Sequence, residues 1–166
     1  MDVLRAVEKE KTPGGAITAI NVELDSVRTK LETDDVYKKS YARYVLLRLE
    51  LGAAEHAEIR TFTARSIEHV FPQNPDPGGA WDSLASRDER EKFVHRLGNL
   101  VLLSKGKNSS ASNKEFDEKK TAYLGPRVSD YPRSGQVCTY TTWDKTIIEA
   151  RSVEAAKLIL ADPAVK

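Results

Sequence analysis

With 166 residues, 40% of them hydrophobic and 31% charged, the chain suits one domain with a modest core and an ordinary polar surface. Lysine and arginine total 26 against 25 aspartates and glutamates, so the net charge of +1 excludes the strongly basic balance of a stand-alone nucleic-acid binder. A single cysteine, Cys138, excludes an internal disulfide and a cysteine-rich zinc site, and no apolar run approaches the roughly 18 residues of a membrane span.

The N-terminus lacks the basic-then-apolar order of a signal peptide, and a reducing cytoplasm is the simplest placement. Met1–Lys11 alternates charge with Val3, Leu4 and Val7, and Thr12-Pro-Gly-Gly15 is a break; this opening reads as cut from something longer. Ile17, Ile20, Leu24, Val27 and Leu31 recur at helical spacing and predict an amphipathic helix over Ile17–Glu32. Thr33-Asp34-Asp35 makes a turn. A second helix is expected over Val36–Leu51, stopped by Gly52. Its tyrosines, Tyr37, Tyr41 and Tyr44, recur at three- and four-residue intervals and are read as helix-packing aromatics rather than a stacking platform for bases. Ile59–Ala64 is a candidate edge strand, and His56 falls in a polar linker as a surface residue.

The stretch from Ser66 to Asn108 organises the rest. Ile67–Gln73 reads as a short strand ended by Pro72. Asn74–Trp81 is a Pro/Gly loop whose Trp81 plugs core. Ser86-Arg87-Asp88-Glu89 has capping-box form and opens a short helix with Phe93 and Leu97 on its inner face; His95, late in it and close to Asn99, is read in a charge–dipole role, with a phosphate contact as the alternative. Gly98 is a backbone corner, followed by a buried strand over Leu100–Leu103. Lys105–Asn113 is polar and small, as a loop entering a helix should be, and Ser112-Asn113-Lys114-Glu115 is a second capping box, predicting a helix over Ala111–Leu124 stopped by Gly125-Pro126. Arg127–Tyr140 is a polar connection with strand character at Val137–Thr141, and Trp143–Ala161 is a last helix. Cys138 is most simply a small buried residue.

Phosphodiester hydrolysis needs an activated water and positive charge for developing oxyanions. A histidine is a suitable base near neutral pH. His69 can be that base, while Asn108 and Glu68 can offer oxygen to a divalent cation; all-oxygen ligation suits Mg²⁺ or Mn²⁺ better than Zn²⁺. Glu68 and His69 are adjacent, so on an ideal strand they point to opposite faces, and both reach one metal only where the strand end bends. Asn99 is read as a clamp whose amide bonds backbone near the His69 loop. Lys105, Lys107, Lys114 and Lys119 surround the predicted helix and are candidate phosphate contacts, with a solvated charged face as the alternative.

The order of these motifs resembles an HNH (His-Asn-Asn) endonuclease core, most closely the version at the C-terminus of GmrSD-type modification-dependent restriction enzymes and of phosphorothioate-sensing SspE-type defence proteins. Glu68-His69-Val70-Phe71-Pro72 resembles the Asp/Glu-His-x-x-Pro opening, and Gly98-Asn99-Leu100 the central Gly-Asn-Leu. Asn108, nine positions after Asn99, takes the third motif place, and Asn113, Phe116, Lys119 and Tyr123 resemble the helix that follows. The resemblance implies His69 as general base, Asn99 as positioning residue, Asn108 as metal ligand and Glu68 as a second ligand. It also implies an α+β, mostly helical fold: a ββα-metal nuclease core over residues 63–125, with a helical segment over 1–62 before it and a connection and helix over 126–166 packed with it.

The function so implied is a metal-dependent DNA endonuclease that nicks duplex DNA with weak sequence preference, the effector of an anti-phage restriction system. No GxxxxGK[ST] motif occurs, so a sensing or NTP-using domain would lie outside these residues. The alternative is a catalytically inactive HNH-fold module that binds DNA or a partner domain.

Overall fold

The computed structural model describes residues 24–53, 65–124 and 131–161. It is mixed α+β and mostly helical, built around one two-stranded sheet. Strands β1 (Arg65–His69) and β2 (Leu100–Ser104) pair antiparallel, from Arg65 opposite Ser104 to His69 opposite Leu100. A helix over 24–33 (α1) and Ala42–Ala53 (α2) precede the hairpin. Ala80–Leu84 (α3) and Arg87–Glu91 (α4) lie between its strands. Lys105–Ala111 (α5), Phe116–Leu124 (α6), Pro132–Val137 (α7) and Lys145–Ala161 (α8) follow.

Leu100-Val101-Leu102-Leu103 is apolar without alternation because both faces of β2 are covered. Leu100 and Leu102, with Ile67 from β1, pack with Leu46 and Leu49 of α2 and Ala155 of α8. Val101 and Leu103 point the other way, into a cluster with Phe71, Trp81, Tyr123 and Trp143. One thin hairpin therefore joins two cores. No helix among the described residues is long and apolar enough to cross a membrane.

Several elements depart from the sequence expectations, each for a tertiary reason. The helix expected over Val36–Leu51 is split: Val36–Lys38 forms one 3-10 turn, Lys39 is extended, and α2 begins at Ala42. The amide of Tyr37 donates to the carbonyl of His95, which fastens the turn to a distant segment. The tyrosines are not core aromatics: Tyr41 and Tyr44 are exposed, and Tyr37 lies against two histidines. The Ser86 capping box forms, with Ser86 and Glu89 bonding each other's backbone. The expected Ser112 box does not, because Oε1 of Glu115 accepts from the amide of Ala80 and serves the start of α3 instead. Ser112 itself takes a positive φ of 41°, and Lys105–Ala111, expected as a loop, is helix α5. Residues 137–141 carry no strand; α7 opens on Pro132 and ends at Val137. The candidate strand at Ile59–Ala64 and His56 lie outside the described residues.

Gly98 stands in a 3-10 turn, Leu97–Asn99, pressed against α8. Its amide donates to Oγ of Ser152 at 2.9 Å and its carbonyl accepts from Nε of Arg151 at 3.1 Å. A Cβ here would overlap the carbonyl oxygen of Ile148 and lie 2.7 Å from the amide of Ser152, so glycine is required for the close approach. Because the obstacle is helix backbone, Gly98→Ala should cost about 3 kcal/mol, lowering the melting temperature by roughly 6–12 °C in thermal unfolding. An unchanged melting temperature would contradict this packing.

Candidate functional site

Asn99 sits at the centre. It is fully buried, and its side-chain amide makes four hydrogen bonds. Oδ1 accepts from the amide of Phe71 at 2.8 Å and from Nε1 of Trp143 at 3.0 Å. Nδ2 donates to the carbonyls of Phe71 at 2.9 Å and Val94 at 2.8 Å. Its own carbonyl accepts from the amide of Val70. The turn that follows His69 is thus held on both its donors and acceptors by one residue. Trp143 brings the C-terminal helix segment into the site, a link that no motif spacing announces.

His69 ends β1 and is 6% exposed. Its Nε2 lies 3.2 Å from Nδ1 of His95, and its Nδ1 lies 3.1 Å from Nε2 of Gln73. Tyr37 meets the His69 ring edge-on, with centroids 4.4 Å apart, and stacks on the His95 ring at an interplanar angle of 10°. Burial, then the neighbouring His95 and Lys119, push the His69 pKa down to about 3, so the ring is neutral at any ordinary pH. His95 was read from the sequence as a helix-end charge. The structure instead makes it the partner of His69; what brings them together is the fold of the α4–β2 connection, not chain proximity.

Glu68 points to the opposite face of the hairpin. Its Oε1 accepts from Nζ of Lys119 at 2.7 Å and from the hydroxyl of Tyr123 at 2.9 Å, both on α6. Lys119 also donates to the carbonyl of His69 at 2.8 Å. Burial raises the Glu68 pKa, and Lys119 counters it; burial likewise lowers that of Lys119 and raises that of the Tyr123 phenol. Lys119 is fully buried, which corrects its expected place among the phosphate-contacting lysines: it is spent on Glu68 and on the backbone of His69. The strand-end bend that would aim Glu68 and His69 at one metal is absent, since the ladder still pairs His69 with Leu100.

Asn108 lies on α5, where its Nδ2 donates to Oγ of Ser66 and, at 3.2 Å, to the carbonyl of Ile67. Ser66 and Glu68 share one face of β1, so Asn108 and Glu68 stand on the side covered by α5 and α6. Among the described residues no group of three His, Cys, Asp or Glu could hold a metal ion. The carboxylate of Glu68 is occupied by Lys119 and Tyr123, and the amide nitrogen of Asn108 by Ser66 and Ile67. Lys114 is exposed, while Lys105 and Lys107 stand in the first turn of α5.

The family model described as "GmrSD restriction endonucleases, C-terminal domain" matches residues 22–158. The chain belongs to that family. No curated protein and no solved structure matches it.

The low pKa of His69 has a consequence for stability. The unfolded chain binds a proton there near pH 6.5, the ordinary value, whereas the folded chain does not until about pH 3. Stability present above pH 6.5 is therefore lost as pH falls through this window. Between pH 6.5 and 4.5 the wild type should lose roughly 2–3 kcal/mol more than His69→Gln, read from urea unfolding at each pH. Parallel acid profiles for the two proteins would contradict a buried, neutral His69.

Proposed function

We propose that this chain is an HNH-type, metal-dependent DNA endonuclease domain, the nicking effector of a bacterial anti-phage restriction system. The observation that supports it most is the neutral imidazole of His69 at the hairpin end, with the following turn immobilised by Asn99. A base must be unprotonated and aimed before the reaction; burial supplies the first condition and the locked turn the second.

In this reading His69 takes a proton from a water molecule as that water attacks phosphorus. The P–O3′ bond breaks, and the 3′ oxygen leaves and is protonated from solvent, so the products carry a 5′ phosphate and a 3′ hydroxyl. The imidazolium is a poor proton holder in so buried a site, and the dianionic phosphate of the transition state beside it offsets that cost. Glu68 and Asn108 are the residues that would hold a divalent cation, Mg²⁺ or Mn²⁺, whose charge stabilises the oxygen that departs. Because Glu68 and His69 occupy opposite faces of β1, one phosphate meets both the base and the cation only when the end of the strand opens.

Duplex DNA is the proposed substrate, with Lys105, Lys107 and Lys114 as phosphate contacts of weak sequence preference. A net charge of +1 leaves most of the affinity to a sensing or NTP-using domain. A binding-only module is the second reading; the occupied carboxylate of Glu68 favours it. His69→Ala should slow plasmid nicking in Mg²⁺ or Mn²⁺ by roughly 10²–10⁴-fold with DNA affinity retained. Wild-type nicking by that variant would sink the mechanism, and salt-sensitive binding without cleavage in any divalent ion would favour the module.

A further inference from the structure

The second histidine of the site has a hydrogen-bonding role that the nuclease reading does not use. An amide nitrogen only donates, so Nε2 of Gln73, 3.1 Å from Nδ1 of His69, makes that Nδ1 an acceptor. A neutral imidazole has one proton, which must then be on Nε2 of His69. Nδ1 of His95 lies 3.2 Å from that Nε2 and accepts its proton. His95 in turn is held by Tyr37: the rings stack with centroids 5.4 Å apart, and the amide of Tyr37 donates to the carbonyl of His95 at 3.1 Å.

We propose that His95 is a positioning residue for His69. By accepting the Nε2 proton it fixes the tautomer and leaves Nδ1 as the basic nitrogen. This rests on the reading of His69 as the base. Gln73 then occupies the place on Nδ1 that the attacking water takes, and yields it when water and phosphate enter. During the reaction the water's proton moves to Nδ1, and His95 keeps the Nε2–H bond of the imidazolium. The His69 ring therefore neither rotates nor exchanges its proton between nitrogens. Tyr37 acts one step further out, by holding the His95 ring in plane.

The test compares His95→Phe, which keeps the ring and its stack on Tyr37 but has no acceptor, with His95→Asn, whose Oδ1 stands close to where Nδ1 was. Plasmid nicking is measured with Mg²⁺ across DNA concentrations, with thermal unfolding of each protein alongside. His95→Phe should lower kcat roughly 10- to 100-fold with KM unchanged, and His95→Asn should recover most of it. Wild-type kcat in His95→Phe, or equal loss in both variants, overturns the proposal. His69→Ala is run beside them: its activity would sink the base itself, whereas an inactive His69→Ala with a fully active His95→Phe sinks only the role of His95. Should His95→Phe not fold, ¹⁵N NMR of the wild-type rings decides. Protonation of His69 at Nε2 supports the proposal, and protonation at Nδ1 overturns it.

Discussion

Four hydrogen bonds to one buried amide hold this site together. Asn99 ties the turn after His69 to the segment before β2 and to Trp143. Each bond contributes only about 1 kcal/mol net, but leaving buried partners unmade costs about 1–3 kcal/mol apiece. The asymmetry explains the residue type. An aspartate would keep both accepting bonds and set a carboxylate against the carbonyls of Phe71 and Val94. A leucine would orphan a backbone amide and an indole N–H. Only an amide side chain has two acceptor and two donor directions in the needed arrangement.

The hairpin then divides the chemistry between its faces. On one face burial keeps His69 neutral beside His95 and Gln73. On the other, Lys119 and Tyr123 keep Glu68 supplied with donors. Removing one member of a buried pair such as Glu68–Lys119 typically costs about 3–5 kcal/mol, while replacing both with apolar groups is often neutral. The pair is thus better understood as placing a carboxylate than as stabilising the fold. Lys119 adds a bond to the carbonyl of His69, so one ammonium fixes the residues of both faces.

What the chain's order revealed was the part encoded locally. Glu68-His69, Gly98-Asn99-Leu100 and the apolar run of β2 place a hairpin and its clamp from spacing alone. The Ser86 box formed because both its partners are within one turn. The Ser112 box has the same letters and failed, since Glu115 found a better use at the amide of Ala80. Tyr37, Tyr41 and Tyr44 have a helix's periodicity, yet the 3-10 turn and extended Lys39 break it and leave all three exposed. The contacts of His95 with His69 and of Trp143 with Asn99 were illegible for a related reason. They span 26 and 44 positions of chain, and neither carries a spacing that could signal it. Residues whose role depends on a partner from another element show only when the fold is in hand.

His69 and Asn108 lie on opposite faces of one hairpin, so the proposed reaction requires the end of β1 to open before both act on one phosphate. A crystal structure of the domain with a short DNA duplex and Ca²⁺, which fills an oxygen-ligand site, tests it most directly. The expected result is one phosphate at the His69 end of an opened β1, with Nδ1 of His69 toward its phosphorus and a cation held by Asn108 and Glu68. A duplex bound elsewhere, with the His69 ring still closed against Gln73 and Glu68 still bonded to Lys119 alone, would contradict it.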